Sequence, residues 1–489
     1  MKTNSDEMHN QEMLLKKIRQ SSEVFDKLAN SYEVWVPESG WLAGRRNRDK
    51  NDSKRKNLTD WSILSFLLEI DNCHYPMADS YLQYGIDGVI RIAAETLETL
   101  KNNLQSELQD QTQLDIAYLE SLLHVWKRFR QFVADHMVLA LECAKQETSD
   151  TKKKRYEKIA KICQNLTINK PNTFCEALQL FWFTYLFRSP FGAGCIGRLD
   201  QLLYPFYKHD CEMGIWDQQE AEKMLEEMFT RMNEINTGDT LRNLMLSGQD
   251  AKGNDQTNEI TYLILVAYEN TGGSEPHLNV RFHEKTPKKL RDNCINMLSS
   301  GSGQPTIYFD EAVLPAMEKA GICHEDACQY ANDGCTETVI AGKSAIVFWQ
   351  YEMVKTVELT LFGGNENPCV KPVSMKKNSI HGADFVPKTN LLIGIESKKP
   401  QELTTFSEFL SAFFEQMDHQ LDHYFLMIKQ KMQEDQTVSI TSPFTAGTFE
   451  KCLRTGKDPL RGGGFDITNY QLLSGSIGTA VDCLYAIQS

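Results

Sequence analysis

The stretch HLNVRFHEKTPKKLRDNCINMLSSGSGQPTIYFD, residues 277–310, decides the fold class. A short apolar run at His277–Phe282 is followed by a helical pattern at Pro287–Ser299 and by a β-branched run at Thr306–Phe309. This order predicts a strand, a helix and a second strand, the unit from which parallel sheets are built. Gly301–Pro305 lacks the Lys and Ser/Thr of a phosphate loop, so we interpret it as a tight turn into the second strand.

The same alternation extends outward from this unit. It begins near Thr173, and it includes a helical pattern at Gln218–Glu234 and apolar, strand-like runs at Leu180–Phe187 and Leu244–Leu246. The apolar spacing between about residues 60 and 170 is helical throughout. We therefore predict an α/β region over about 171–489, a helical layer over about 60–170, and a polar, solvated N-terminal segment over 1–59.

Composition excludes several classes of protein. The 489 residues contain 52 Lys and Arg against 66 Asp and Glu, a net charge of −14, which argues against a nucleic-acid-binding protein. No signal peptide is visible in the polar residues 1–20, and no apolar run is long enough to span a membrane, so we expect a cytoplasmic protein. Thirteen cysteines without a CxxC pair indicate reduced thiols. His419 and His423 lack the intervening Glu of a zinc helix, and we expect no metal site.

Two glycine-rich motifs favour structural interpretations. Gly192–Gly197 matches G-x-G-x-x-G, but this pattern alone is a weak signal, and charged Arg198 follows it directly. We therefore reject a dinucleotide site. Gly462–Gly464 fits no phosphate-loop template, and three consecutive glycines predict that the backbone closely approaches another part of the molecule.

The segment ANDGCTE, residues 331–337, has the strongest chemical character. If it is extended, Asp333, Cys335 and Glu337 face one side and bring two carboxyls and a thiol together. Neighbouring carboxylates raise the pKa of a thiol and disfavour an ionic nucleophile. A cysteine that reacts as a sulfur radical needs no ionisation, and a carboxylate beside it can act as a base. A buried cysteine in an acidic loop is the alternative that these residues leave open.

Six further segments have a recognisable order along the chain: TFCEALQ (173–179), GRLDQ (197–201), SGQD (247–250), PHLNVR (276–281), GSGQP (301–305) and GCTE (334–337). With these segments, the sequence from about Tyr81 to Ser489 resembles the glycyl radical enzymes, the pyruvate formate-lyase-like superfamily. The resemblance implies a ten-stranded α/β barrel of the pyruvate formate-lyase type, with Cys335 on a loop at its centre.

The resemblance also implies the roles of four residues. A glycyl radical takes hydrogen from Cys335, whose thiyl radical then abstracts hydrogen from the substrate, and Glu337 handles protons. His74 resembles a barrel-lining histidine of the diol dehydratases. Asp333 binds a substrate hydroxyl, orients Glu337 or caps the loop.

The G-C-x-E pattern resembles the branch that eliminates water, an amine or sulfite, and it is also similar to arylacetate decarboxylases. Formate acetyltransferase-like chemistry is the less favoured alternative, because Gly334 stands where that enzyme has a second cysteine. The radical motif Arg-Val-x-Gly-aromatic occurs nowhere in the chain. A C-terminal glycyl radical domain is therefore expected to be missing, and the chain to be inactive alone.

The resemblance also implies the cofactors and partners of the chain. We expect no bound cofactor, a glycyl radical from a missing segment or a separate subunit, a radical-SAM activating enzyme, a small-molecule substrate and a homodimer. A truncated, non-catalytic remnant is the remaining alternative.

Overall fold

The computed structural model describes residues 4–45, 66, 76–103, 110–188, 195–215, 217–234, 242–334, 337–365, 394–437 and 439–489. The chain divides into two compact units. The first comprises Met1–Ala345 with Val438–Ile467, and the second comprises Ile346–Thr437 with Thr468–Ser489. Within the described residues, no helix is both long enough and apolar enough to cross a membrane.

Up to residue 234, the described residues of the first unit form seven helices. They are α1 Asn4–Ser31, α2 Ser80–Asn103, α3 Asp110–Gln146, α4 Asp150–Ile168, α5 Phe174–Arg188, α6 Leu199–Met213 and α7 Gln218–Glu234. Helices α2, α3 and α4 lie within residues 60–170, where the sequence has helical spacing. The helix predicted at Gln218–Glu234 is α7.

Helix α1 differs from the solvated segment expected at 1–59. Leu14, Ile18, Phe25 and Leu28 are each at most 5% exposed, and their spacing places them on one helix face. This face packs against α3. The charged residues between them concealed the pattern in the sequence. Residues 46–59 lie outside the described residues.

The strand-like reading of Leu180–Phe187 is wrong, because these residues belong to helix α5. All of them are buried, so the helix has no polar face and shows no helical period. Phe187 packs edge-to-face against rings of α3, with ring centres 4.9 Å from Phe132 and 5.4 Å from Phe129. An apolar run of eight residues cannot separate a buried strand from a buried helix by period alone.

The predicted α/β units are confirmed by a parallel sheet in the order β1-β2-β3. Its strands and connecting helices are β1 Asn243–Ser247, α8 Glu259–Thr271, β2 His277–Phe282, α9 Lys288–Ser299 and β3 Thr306–Phe309. Every residue of β1 is buried, as expected for a parallel strand covered on both faces. The turn before β3 contains Gly301 and Gly303, both with positive φ.

The rest of the first unit includes a short hairpin. Its elements are α10 Asp310–Lys319, α11 His324–Ala327, β4 Tyr330–Asp333, β5 Glu337–Ile340, α14 Pro443–Ala446 and α15 Glu450–Thr455. Strands β4 and β5 pair antiparallel. The close approach predicted for Gly462–Gly464 is confirmed: a Cβ at Gly464 would lie 2.5 Å from the Phe449 ring.

The second unit is smaller. It contains β6 Ser344–Glu352, α12 Met353–Leu361, α13 Phe406–Thr437, β7 Ile467–Gly475 and α16 Ile477–Gln488, and β6 and β7 form a two-stranded sheet. Val357, Phe413 and Ala480 form its buried core. Among the described residues, the strands form separate sheets of three, two and two strands, so the ten-stranded barrel stays a prediction.

Candidate functional site

The β4–β5 hairpin brings two of the predicted site residues together. Asp333 pairs directly with Glu337 across the two strands. Directly paired residues place their side chains on the same face of a sheet, so the two carboxyls share one side. Asp333 is fully buried and Glu337 is 8% exposed. Cys335 and the adjoining Thr336 lie between them in the sequence and outside the described residues.

Gly334 fits this hairpin because it has no side chain. Its φ is +55°, a conformation that glycine adopts without steric cost. A Cβ at this position would lie 2.7 Å from Glu337 Oε2. A side chain immediately before Cys335 would therefore be strained by the positive φ and would require the Glu337 carboxylate to move from its present position.

A buried ion pair anchors the start of β4. Arg281 Nε and Nη2 donate to the two oxygens of Asp310, each at 2.8 Å, and both side chains are fully buried. The Tyr330 hydroxyl donates to Asp310 at 3.0 Å, and the Arg281 guanidinium lies 4.0 Å from the Tyr330 ring centre. Burial raises the pKa of Tyr330, so its hydroxyl remains a donor. Arg281 Nη1 also donates to the Cys328 carbonyl at 2.8 Å.

A second arginine links this segment to the end of β1. Arg198 Nη2 donates to the Ser247 carbonyl at 2.9 Å, and Nη1 donates to Gln329 Oε1 at 3.0 Å. Burial, reinforced by the positive charge of Arg281, lowers the pKa of Arg198 to about 10. The guanidinium is still charged at neutral pH and holds the segment that leads into β4 against the parallel sheet.

A chain of side-chain amides connects the parallel sheet to the hairpin. Asn243 Nδ2 donates to the Gly334 carbonyl at 2.8 Å. Asn243 Oδ1 accepts from the Nδ2 atoms of Asn279 and Asn332, each at 3.1 Å. Asn332 Nδ2 also donates to the Tyr308 hydroxyl oxygen at 3.2 Å. All three asparagines are at most 3% exposed.

Cys195 is a buried thiol beside the β4–β5 hairpin, and its surroundings raise its pKa. Its Sγ donates to the Asn332 carbonyl at 2.9 Å. Burial and the negative charge of Asp333 raise the pKa of Cys195, which keeps the thiol protonated. A protonated thiol is a poor ionic nucleophile but retains the S–H bond from which a hydrogen atom can be taken.

The predicted residues are therefore only partly located. Asp333 and Glu337 lie together, whereas Cys335 and His74 lie outside the described residues. Of the Gly192–Gly197 motif, Gly197 is described and bridges to Leu244 at β1, and Gly192 lies outside. Among the residues that the structure describes, no cluster of His, Cys, Asp and Glu could hold a metal ion. Sequence reasoning missed the amide chain and the Arg281–Asp310 pair.

Comparisons with known proteins agree with the fold. The profile described as pyruvate formate lyase-like matches residues 72–489. The chain is 31% identical over 373 residues to a trans-4-hydroxy-L-proline dehydratase from Clostridioides difficile, a match covering 71% of this chain and 44% of the relative. It is 26% identical over 398 residues to a (2S)-3-sulfopropanediol dehydratase from Klebsiella oxytoca, covering 78% of this chain and 45% of the relative.

The solved structure of hydroxyproline dehydratase from Clostridioides difficile, with its substrate bound, superimposes with a TM-score of 0.77 at 21% identity. It covers 98% of this chain and 68% of that chain. The present chain thus spans less than half the length of the two curated relatives above. Because the family profile covers most of the sequence, the chain belongs to the pyruvate formate lyase-like family, the glycyl radical enzymes.

Proposed function

We propose that this chain is the barrel part of a glycyl radical lyase that removes water or another leaving group from a small substrate. Cys335 is the hydrogen-abstracting residue and Glu337 is the acid–base residue. The observation that carries the proposal is the hairpin, in which buried Asp333 and Glu337 pair directly on either side of Cys335 in the sequence. The dehydratases among its relatives support the same reaction class.

The charges around the hairpin suit radical chemistry better than ionic chemistry. Two carboxylates beside a thiol oppose its ionisation. At the neighbouring Cys195, burial is the main cause that raises the pKa of the thiol, and the charge of Asp333 adds to it. A glycyl radical would supply the one-electron chemistry by taking the hydrogen atom of the Cys335 thiol. Cys335 would then abstract hydrogen from a substrate carbon, and Glu337 would exchange a proton during loss of the adjacent leaving group. Asp333 would bind a substrate hydroxyl, and His74 would shuttle a proton.

The alternatives fit the hairpin less well. An acetyl-transferring site of the formate acetyltransferase type needs a second cysteine beside Cys335, and a side chain at Gly334 would collide with Glu337. An arylacetate-type decarboxylase needs cationic partners for its substrate carboxylate, whereas the charged described residues nearest Cys335 in sequence are the acidic Asp333 and Glu337. A non-catalytic remnant would have no reason to retain two paired, buried carboxylates.

The proposal includes the partners of the whole enzyme. A radical-SAM activating enzyme would install the glycyl radical on a segment or subunit outside this sequence. Two copies of the chain, each with a ten-stranded barrel, would form a homodimer. The chain itself would provide the substrate cavity.

Anaerobic reconstitution tests this function. The chain is combined with a glycyl radical segment or subunit and a radical-SAM activating enzyme, and trans-4-hydroxy-L-proline, a propane-1,2-diol and isethionate are supplied in turn. We expect each accepted substrate to yield its dehydrated product or sulfite. Cys335→Ser and Glu337→Gln should each abolish this product formation. Cys323→Ser is the matched control, because Cys323 is exposed. Turnover that survives Cys335→Ser would refute the assignment.

A further inference from the structure

One face of the parallel sheet carries a set of side chains aimed at the hairpin. Asn243 of β1 pairs with His277, and Asn279 lies two residues further along β2. Asn279 pairs with Thr306, and Tyr308 lies two residues further along β3. Because paired residues and residues two apart share a face, Asn243, Asn279 and Tyr308 all lie on this face, one on each strand. The set therefore steps diagonally across the sheet.

Asn243 is the member that reaches the hairpin backbone. Its Nδ2 donates to the carbonyl of Gly334, the residue that precedes Cys335. Its Oδ1 accepts from Asn279 and Asn332 at once. A flipped amide would place its NH₂ group against two other NH₂ groups and its oxygen against the Gly334 carbonyl. The two incoming donors therefore fix which way the Asn243 amide points.

The position requires an uncharged group with both a donor and an acceptor. Asn243 is 2% exposed, and its partners Asn279 and Asn332 are also buried. A polar atom that lost its hydrogen-bond partner here would therefore not be solvated. An aspartate would keep the acceptor and lose the donor to Gly334. A leucine would lose both and leave the Gly334 carbonyl without this partner.

We propose that Asn243 is a positioning residue that holds the β4–β5 hairpin, and with it Cys335, in the reactive position through the Gly334 carbonyl. The inference rests on the proposed function of Cys335. Asn279 and Asn332 act through Asn243 by fixing the orientation of its amide. Asn243 touches neither substrate nor the reacting atoms in this scheme.

Hydrogen–deuterium exchange of the full 489-residue chain provides a readout that needs no activity. In Asn243→Leu we expect exchange of the hairpin amides within 330–340 to rise about tenfold, the change expected from losing one buried hydrogen bond. Exchange in β2 and β3 should change much less. Asn233→Leu is the matched control, because Asn233 also bridges two segments, donating to the Phe229 and Glu275 carbonyls.

Asn243→Asp keeps the test decisive if the leucine variant does not fold, because it preserves the shape and the two accepted hydrogen bonds. We expect its hairpin to exchange rapidly at neutral pH and to regain protection in acid, where the protonated carboxyl can donate to Gly334. A merely structural role predicts no such recovery confined to the hairpin. In the reconstituted enzyme we expect kcat to fall while KM is kept.

The two proposals fail in different ways. Unchanged hairpin exchange in both Asn243 variants, or an equal rise in Asn233→Leu, overturns the positioning role even if the enzyme is active. Rapid hairpin exchange in an enzyme without any turnover supports the positioning of the hairpin and refutes the proposed reaction.

Discussion

Replacing Asp310 by asparagine tests whether the buried ion pair anchors the hairpin strand. Asp310 accepts two hydrogen bonds from Arg281 and one from Tyr330, and both charged side chains are fully buried. The amide of Asp310→Asn would turn an NH₂ group toward one of these donors and leave the Arg281 charge uncompensated. Removing one partner of a buried pair costs about 3–5 kcal/mol, a large part of the 5–15 kcal/mol that stabilises a typical domain.

Urea unfolding followed by tryptophan fluorescence measures this cost. We expect the midpoint of Asp310→Asn to fall by about 1 M or more. The matched control is Asp466→Asn, which removes an ion pair with Lys451 in which both side chains are 48% exposed. That change should cost at most about 1 kcal/mol. Equal midpoints for the two variants would show that the buried pair is not the anchor.

Three further outcomes follow from particular residues. Gly334→Ala should lower Tm more than Gly214→Ala in a thermal shift assay, because both glycines have positive φ but only Gly334 lacks space for a Cβ; equal losses would contradict the predicted collision. Burial lowers the pKa of His136 from 6.5 to about 4. Between these two pH values, His136 is therefore protonated in the unfolded chain and neutral in the folded chain. Stability should therefore fall by about 3 kcal/mol as pH falls from 6.5 to 4, and His136→Leu should show a flatter urea midpoint over that range; an unaltered slope would exclude His136 as the source. In maleimide labelling at pH 7, followed by mass spectrometry, the exposed Cys211 and Cys323 should react first. Burial raises the pKa of three other thiols, which should stay unmodified: Cys163, Cys175 and Cys452. Labelling of these three at the same rate as the exposed cysteines would contradict their burial.

The parts of the fold that could be predicted are those indicated by the periodicity and turn residues of a short stretch of sequence. The strand, helix and strand at 277–309 were readable because each element has its own period and a glycine turn separates them. Both signals lie within a few residues of the element that they describe. Asp333 and Glu337 do share one face, but they do so by pairing across a hairpin whose turn includes Gly334, and not through the continuous extended backbone that the sequence analysis assumed.

The remaining features depend on partners that are distant in the sequence. Asn243 and Gly334 are 91 residues apart, and nothing near either residue indicates their hydrogen bond. Helix α5 resembled a strand because burial on every side removes the polar face that reveals a helix. The hydrophobic face of α1 became visible only with its partner helix α3 in place.

The crowding at Gly334 also limits how such a site can evolve. A codon change that introduced cysteine at 334 would place its Cβ 2.7 Å from Glu337 Oε2 in a backbone conformation unsuited to side chains. The Glu337 carboxylate would have to move away from this position, and the turn would carry the strain of a side chain at positive φ. A lineage with this hairpin therefore reaches two-cysteine chemistry only through a strained turn and a displaced acid–base carboxylate.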